Sequence, residues 1–466
     1  MNTSEFYNNL IISSIFPFQA DKHPTISTSR RQSFLDGLAL LLNGSSPSTS
    51  VYPFLKEKTI LITRNKQLKD NDKIYFNKFF CLIREYSQHC LTLNKNDMDD
   101  IHSSLEFLVL EYNKNKCMKR IIDDLFDDAV SNLEKLPNAN FDHLCQKITY
   151  SKLKKGTADY FHLKKKQMIL KEYILILFDW INYIISNRNS IRKNKSNVEL
   201  KIILKFQTIG KALYYSEIFN FILKQVYSNV DDYQHILYYL DKVSAHKRSL
   251  DLIIKVLKQR TFDYGEIYKN IQWYFIKPIE SIVSLEEKPS LSFDKIWSAC
   301  GCQNDDIKIK FQNDYIKNQL DSYDTNLKLI TCLHSEIRII DYLIEQNIQE
   351  IYDQDVEIGI SKLPCYLCSL YIEKLNNKFH RKFYVDSSTT HGKIYPNWMF
   401  RKNEENMIKN SVHSQLYKLL TNEIQLLQLR IKTKSGDNDE QDTETDDDDV
   451  DYDITDRNLN DIVNVS

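Results

Sequence analysis

The sequence predicts a mostly α-helical N-terminal region followed by a three-layer α/β domain, in which helices cover a mixed sheet. The 466 residues include only 9 glycines and 9 prolines, and this shortage of helix breakers favours helices. From about residue 75 to residue 280, apolar residues recur at helical spacing, for example at Ile121, Leu125 and Phe126. Beyond residue 307, short apolar runs alternate with amphipathic segments, a pattern typical of a layered α/β domain.

Composition and periodicity divide the chain into five segments. Residues 1–30 have no clear period and are expected to be irregular, and residues 31–285 form an α-helical region whose role the sequence does not indicate. Residues 286–306, which contain a proline and several serines, form the predicted linker. Residues 307–434 form the α/β domain, and residues 435–466 form an acidic tail that is disordered by composition.

Within the α/β domain, short apolar runs predict four strands, and longer amphipathic segments predict three helices. The strands are expected at Ile307–Phe311, Leu327–Cys332, Val356–Ile360 and Lys382–Val385. The helices are expected at Ser335–Glu345, Pro364–Leu375 and Glu404–Ile431. In the N-terminal region, a short apolar helix is expected at Phe34–Leu42.

No segment predicts a membrane span or a secretory signal. The longest apolar candidate, Met168–Ile185, is interrupted by Lys171, Glu172 and Asp179, so a buried helix is expected there. The N-terminus does not combine a basic start, an apolar run and a small-residue cleavage site. Nine cysteines without a secretory signal indicate a reducing compartment, so we expect an intracellular protein, cytoplasmic or nuclear.

A split motif in the C-terminal third carries the chemistry. His334 and Glu336 form an H-x-E triplet, and Cys365 and Cys368 form a P-C-x-x-C string about thirty residues later. A catalytic zinc site uses three protein ligands and keeps its fourth position for water, and deaminases add a glutamate that shuttles protons. An accidental P-C-x-x-C string is expected only about 0.003 times in a chain of this composition. The pair therefore predicts a zinc-dependent deaminase centre.

The cysteine spacing supports this interpretation. If a helix begins at Pro364, the sulfurs of Cys365 and Cys368 lie on one face of its first turn. A helix N-terminus stabilises thiolates, and two thiolates nearly cancel the charge of zinc. A carboxylate is then needed to take the proton of the bound water, and Glu336 fits that need.

The alternative is a closed structural zinc site with a fourth protein ligand. Cys332 and Cys300 are the candidates for that ligand. We favour the catalytic site because a structural zinc has no use for Glu336. The C-x-C pair at Cys300 and Cys302 is interpreted as two small buried or loop thiols.

The surrounding residues resemble a known family. Gly359, Ser361 and Lys362 stand in an I-G-I-S-K string before the cysteines, and an H-G-K-I-Y-P-N-W string begins at His391. From about residue 332 to residue 398, the chain resembles the cytidine-deaminase-like superfamily, in the nucleic acid deaminase branch that is expanded in fungi and shared with bacterial effector toxins. The resemblance implies a deaminase-like fold and a nucleobase substrate, cytosine or adenine.

Carried over position by position, the resemblance also implies roles for single residues. Zinc (Zn²⁺) would be held by the three motif ligands, and the catalytic glutamate would lie over the open zinc position. His391, Tyr395 and Trp398 would bind substrate or support the site. Ser335 replaces a frequent alanine and Thr390 a common serine, and neither change removes a ligand or a proton carrier.

Charge is unevenly distributed along the chain. Between Asp437 and Asp456 there are twelve acidic residues and no Lys or Arg. The whole chain has a formal net charge of −1, so the remaining residues together have a net charge of +11. Basic clusters at residues 152–155, 164–166 and 192–195 lie among aromatic residues, a combination that nucleic-acid binding uses. Lysine-rich solvated helix faces are equally common, so this pattern alone leaves nucleic acid as a hypothesis.

Three functions follow from the sequence. The first is a zinc-dependent hydrolytic deaminase of a nucleobase within nucleic acid. The second is a deaminase of free nucleosides or nucleotides, against which the basic body argues. The third is a non-catalytic, zinc-stabilised binding or scaffold protein, in which the helical region would contact a protein partner. The sequence does not indicate an oligomeric state.

Overall fold

The computed structural model describes most of the chain between residues 2 and 434. The described ranges are 2–16, 29–92, 95–138, 143, 146–148, 153–259, 270–301, 308–309, 317–348, 356–385 and 390–434. The predicted acidic tail at 435–466 lies outside the described residues. No helix in the described ranges is long and apolar enough to cross a membrane.

The N-terminal part of the chain is rich in helices, as predicted. Its helices are α1 (Thr3–Ser13), α2 (Arg30–Leu41), α3 (Asp70–Thr92), α4 (Lys95–Ile122), α5 (Asp127–Lys135), α6 (Leu170–Lys193), α7 (Leu200–Tyr214), α8 (Glu217–Val226) and α9 (Val230–Gln259). A π-helix at Tyr160–Lys165 precedes α6. The predicted short helix and the predicted buried helix correspond to α2 and α6.

The same part of the chain also contains strands that the sequence did not predict. A hairpin is formed by β1 (Thr49–Phe54) and β2 (Thr59–Arg64), and β3 (Gln272–Ile276) pairs in parallel with β2. A further strand, β4 (Glu280–Ser284), follows. The expectation that residues 31–285 are helical is therefore wrong for these strands. Short β-branched runs such as Thr59–Arg64 become strands because sheet partners distant in sequence satisfy their backbone groups.

The C-terminal elements alternate as predicted from their first strand onward, and two helices that the sequence did not predict precede that strand. The elements are α10 (Pro289–Ala299), α11 (Lys317–Thr325), β5 (Lys328–Cys332), α12 (Ser335–Glu345), β6 (Val356–Glu357), β7 (Gly359–Ile360), α13 (Tyr366–Phe379), β8 (Phe383–Tyr384) and α14 (Asn406–Lys434). The predicted strand at residues 356–360 divides at Ile358, because β6 pairs with β8 and β7 pairs with β1. The strand expected at Ile307–Phe311 lies mostly outside the described residues, and its two described residues are helical.

The central sheet joins distant parts of the chain. Its strand order is β3-β2-β1-β7, so the N-terminal hairpin lies beside a strand that directly precedes the cysteine motif. Helix α12 packs against β1 and β2, and α2 packs against β1 and β7. Alternate residues of the hairpin enter different cores: Tyr52 and Leu61 face the core that contains α12 to α14, whereas Val51 and Ile60 face the core of α2, α3 and α9.

Helices form in the segment expected to be irregular and in the predicted linker. Helix α1 lies in the residues expected to be irregular, and its Phe6, Leu10 and Ile11 are fully buried in the core of the C-terminal domain. Helix α10 lies in the predicted linker, and its Phe293 and Trp297 are buried in the same core. Both expectations were wrong because the apolar residues of these short segments are buried by tertiary contacts, which local periodicity does not reveal.

Candidate metal centre and active site

Both halves of the split motif lie where a helix begins. His334 follows β5 and is the N-terminal cap residue of α12. Cys365 caps α13, and its sulfur accepts the backbone N–H of Cys368 at 3.4 Å. The helix therefore begins at Tyr366, two residues later than the sequence predicted. As a result Cys365 itself, rather than Pro364, occupies the end of the helix dipole.

The three predicted ligands converge. The Nδ1 atom of His334 lies 3.6 Å from Sγ of Cys365 and 3.3 Å from Sγ of Cys368. All three residues are buried, and their ligand atoms lie within 4.8 Å of one another. Zinc bonds of about 2.0–2.3 Å in a tetrahedron place ligand atoms about 3.3–3.8 Å apart. The group therefore has the donor types and the spacing that zinc requires.

The electrostatics of the group favour thiolate formation. Burial raises the pKa of the Cys365 thiol, but the hydrogen bond with Cys368 and the positive charge of His334 lower it more, to about 6. Burial raises the pKa of Cys368, and the neighbouring Cys365 raises it further. Burial lowers the pKa of His334, yet the charge of Cys365 more than offsets this and raises it. Metal ligation requires deprotonated cysteines, so binding of a metal ion would displace any proton that remains on the two sulfurs.

Neither candidate for a fourth protein ligand joins this group among the described residues. Cys332 is buried near the site, where its sulfur accepts the side-chain amide of Asn397 at 3.5 Å. Cys300 lies against the backbone carbonyl of Thr421 on α14. The described residues that could hold a metal here are the histidine and two cysteines alone. A three-residue set of this kind is typical of a catalytic zinc site.

Glu336 lies in the first turn of α12, and its side chain is buried. Its Oε2 accepts the hydroxyl of Ser335 at 3.2 Å. The same Ser335 oxygen lies 2.8 Å from the hydroxyl of Ser50 and 3.0 Å from that of Ser48. A serine hydroxyl has one hydrogen and two lone pairs, so Ser335 can donate to the carboxylate while it accepts from both hairpin serines. This arrangement fixes the position of one carboxylate oxygen of Glu336.

The structure brings all three further sequence-predicted residues to the metal group. The indole N–H of Trp398 donates to Sγ of Cys368 at 3.3 Å. The ring of Tyr395 lies edge-on to that of His334, with ring centroids 5.8 Å apart. The ring of His391 lies edge-on to that of Tyr395, with ring centroids 5.6 Å apart.

The turn that carries His391 is attached to the start of α13. The hydroxyl of Thr390 donates to the carbonyl of Pro364 at 2.8 Å, and the backbone N–H of Tyr366 donates to the carbonyl of Lys393 at 3.1 Å. Gly392 has a φ of +75°, which favours glycine at this turn. These bonds hold the turn beside the cysteine ligands.

Two residues of the I-G-I-S-K string have structural roles. A Cβ on Gly359 would lie 2.4 Å from the backbone of Leu35, so only glycine allows α2 to approach the strand this closely. The hydroxyl of Ser361 accepts a hydrogen bond from the backbone N–H of Thr49 at 2.9 Å. The backbone N–H of Ser361 donates to the carbonyl of Thr49, also at 2.9 Å. Both residues therefore attach the N-terminal part of the chain to the cysteine motif.

Comparison with known families decides the superfamily. Residues 333–402 match the OTT_1508-like deaminases, a cytidine-deaminase-like family. This segment is similar to cytidine-deaminase-like domains. The predicted superfamily is thus confirmed, while the narrower fungal and toxin-related branch stays a prediction. No curated protein and no solved structure matches the chain.

Sequence reasoning missed the contribution of the N-terminal hairpin to the candidate site. Ser48, Ser50 and Asn65 lie at the end of the hairpin nearest to α12, and the side-chain oxygen of Asn65 accepts the backbone N–H of Ser335 at 2.9 Å. These residues stand about 270 to 290 positions before the motif that they support. No local pattern signals such a contact, although the β-branched run in β2 could have revealed a strand.

Proposed function

We propose that this protein is a zinc-dependent hydrolytic deaminase that acts on the amino group of cytosine or adenine within nucleic acid. The observation that carries the proposal is the buried His334, Cys365 and Cys368 group with the Glu336 carboxylate beside it in a deaminase domain. We also propose that residues 307–434 form a three-layer deaminase unit, to which the N-terminal hairpin and α1 add the remaining part of the core.

The proposed reaction replaces the exocyclic amino group of the base by oxygen and releases ammonia. A zinc ion bound by the three ligands would supply the Lewis acidity that makes water nucleophilic at neutral pH. Glu336 takes a proton from the attacking water and delivers protons to the ring nitrogen and to the departing amino group. The water adds its oxygen to the amino-bearing ring carbon, and the carbon–nitrogen bond then breaks.

The surroundings of Glu336 suit this role. Ser335 holds one carboxylate oxygen through its hydroxyl, so the carboxylate has a fixed orientation. Helix α12 is itself anchored, because Asp341 on it forms a buried ion pair with Arg401 at 2.6 Å. The rings of Tyr395 and His391 border the metal group, where they would contact a base or limit the entry of water.

The test uses the full chain and compares it with Glu336→Ala, Cys365→Ser and the control variant Glu345→Ala, which lies at the other end of α12. Zinc content is measured by atomic absorption, and deamination of single-stranded DNA, single-stranded RNA, cytidine and adenosine by mass spectrometry and ammonia release. We expect about one zinc in the wild type, in Glu336→Ala and in the control, and less in Cys365→Ser. Deamination should be lost in Glu336→Ala and in Cys365→Ser.

Each other outcome has a definite meaning. Activity retained in Glu336→Ala would refute the proton-shuttle role. Activity on free nucleosides without activity on oligonucleotides would replace the nucleic-acid substrate by a monomer. A wild-type chain that binds zinc and deaminates none of these substrates would favour a zinc-stabilised scaffold.

A further inference from the structure

The three basic clusters of the helical region differ in how far acidic neighbours neutralise them. Arg192, in the last cluster, forms ion pairs with Asp124 and Asp127. Lys164 and Lys165 are exposed and form no salt bridge among the described residues. Their surface charge is therefore open to an anionic partner.

The segment from residue 153 to residue 171 has an exclusively positive exposed charge. It contains six lysines and a single acidic residue, Asp159. Asp159 is buried, and its carboxylate accepts the hydroxyls of Tyr173 and Ser216 at 2.7 Å and the backbone N–H of Ile218 at 3.2 Å. Because these bonds direct the carboxylate inward, Asp159 forms no ion pair with the surface lysines among the described residues.

The backbone of this segment is unusual. Residues Tyr160–Lys165 form a π-helix, and Gln167 directly after the lysines has a φ of +54°. A non-glycine residue in this region costs on the order of 1–3 kcal/mol, and such strain and π-turns concentrate at functional sites. Leu163 is buried, and His162 stacks on Tyr173 at 5.1 Å, so the turn is fixed to the helical core. The geometry presents three consecutive lysines on a rigid turn.

An aromatic ring accompanies the lysines. Phe161 is 45% exposed, and the ammonium of Lys166 lies 4.9 Å from its ring centroid. Proteins that bind single strands combine phosphate-neutralising lysines with rings on which bases stack. We propose that residues 153–171 are a docking surface for single-stranded nucleic acid, with Lys164 to Lys166 on phosphates and Phe161 under a base.

The choice of partner rests on the proposed function. Ile169 and Leu175 are also exposed, at 60% and 52%, and an anionic membrane surface would use such residues together with lysines. Nucleic acid is favoured over a membrane because the same chain carries a deaminase domain, whose substrate class is the nucleobase. Binding to an anionic membrane is one of the outcomes that the test below distinguishes.

The test measures binding of a fluorescein-labelled 20-nucleotide single-stranded DNA, and its RNA counterpart, by anisotropy at several salt concentrations. The full zinc-loaded chain carries Glu336→Ala throughout, so that no turnover occurs. Lys164→Ala, Lys165→Ala and Lys166→Ala are combined in one variant. Lys78→Ala, Lys119→Ala and Lys258→Ala form the control, which removes three exposed charges from other helices of the same region.

We expect the 164–166 variant to weaken binding at least about tenfold at low salt and to reduce the slope of log K against log salt by about 2. Phe161→Ala should weaken binding at least about fivefold with little change in slope, because stacking does not depend on salt. The control should change both quantities much less. Circular dichroism and zinc content confirm that each variant is folded.

Equal effects of the 164–166 variant and the control would overturn the inference. So would binding to phosphatidylserine vesicles that the variant loses while oligonucleotide binding is unchanged, since the surface would then serve a membrane. Absence of deamination in the wild-type chain, while the Glu336→Ala chain binds oligonucleotides through these lysines, would overturn the proposed function alone. Deamination by the wild-type chain, together with unchanged oligonucleotide binding in the 164–166 variant, would overturn the docking surface alone.

Discussion

The indole N–H of Trp398 donates a hydrogen bond to Sγ of Cys368 across 3.3 Å. Trp398 is fully buried, and its ring lies 4.7 Å from that of Phe400, 5.5 Å from that of Tyr371 and 6.2 Å from that of Phe6. The bond points at a predicted metal ligand, and hydrogen bonds of this kind orient a thiolate and tune its charge. The aromatic cluster therefore connects the metal group to the N-terminal helix.

Trp398→Phe should lower zinc affinity by about 10- to 100-fold, because it removes the indole N–H that donates to Cys368 and keeps an aromatic ring in the core. Affinity is measured by competition with a chromophoric chelator. Trp297→Phe is the matched control, since Trp297 is also buried in this core but lies on α10. An equal loss of zinc affinity in both variants would mean that the loss comes from a general disturbance of the core and not from the missing hydrogen bond to Cys368.

The separately expressed fragment 285–436 should not fold, although it contains the whole split motif. It lacks α1 and the hairpin, so the buried side chains of Leu333, Ile337 and Ile340 would lose part of the core that covers them. The full chain should unfold cooperatively in urea and bind zinc, whereas the fragment should show neither property. A fragment with a cooperative transition and bound zinc would contradict this expectation.

Phe6→Ala in the full chain should lower the free energy of unfolding by about 3–5 kcal/mol, because Phe6 is fully buried against Phe400 and Trp398. Urea denaturation followed by circular dichroism provides the measurement. Phe161→Ala removes an exposed ring and should change stability by less than about 0.5 kcal/mol. Similar values for the two variants would mean that α1 does not stabilise the domain.

The sequence predicted the local part of the C-terminal domain well. Helix α12 has the predicted bounds, β5 begins one residue later than predicted, and the two ends of α14 deviate by two and three residues, because each element has a clear period over its own length. The three ligands converge as the spacing suggested, since each half of the motif lies at a strand-to-helix turn. The convergence of His334, Cys365 and Cys368 could thus be predicted from residues close together in the chain, and their role as metal ligands stays a prediction.

The non-local part could not be predicted in the same way. Strand β1 contains Pro53, which weakens a strand pattern, and its partners Gly359 and Ile360 are about 310 residues away. Ser335 was recognised only as a replacement for alanine, and its contacts with Ser48 and Ser50 depend on the position of the hairpin. A pattern in one segment does not identify which distant segment it will contact.

Gly359→Ala should destabilise the protein by about 3 kcal/mol or more, because the new methyl group would lie 2.4 Å from the backbone of Leu35, which cannot move aside as a side chain can. Gly37→Ala on α2 is the control. There the nearest atom is the side chain of Ser249 at 3.3 Å, and alanine improves helix propensity, so a smaller change is expected. Thermal unfolding of both variants measures the difference in stability. A Gly359→Ala variant as stable as the wild type would disprove the close approach of α2 to the strand.

The carboxylate of Asp251 should make stability depend on pH in the acidic range. Burial raises its pKa, but the hydrogen bond with His102 and the charges of Lys211 and Lys247 lower it more, so the folded-state pKa lies below the unfolded value of about 3.9. A carboxyl group with a depressed pKa stabilises the fold above its unfolded pKa, and this contribution is lost as pH falls through the folded pKa.

Asp251→Asn should therefore be less stable than the wild type at pH 7, and the difference should shrink as pH falls below about 4. Urea denaturation at pH 7, 5, 4 and 3 measures the difference. Asp70→Asn is the control, because Asp70 is 92% exposed and its ion pair with Lys73 lies at the surface. A wild-type advantage over Asp251→Asn that is constant from pH 7 to pH 3 would show that the lysine neighbours do not depress this pKa. The ion-pair cluster between α4, α7 and α9 would then stabilise the helical region by packing alone.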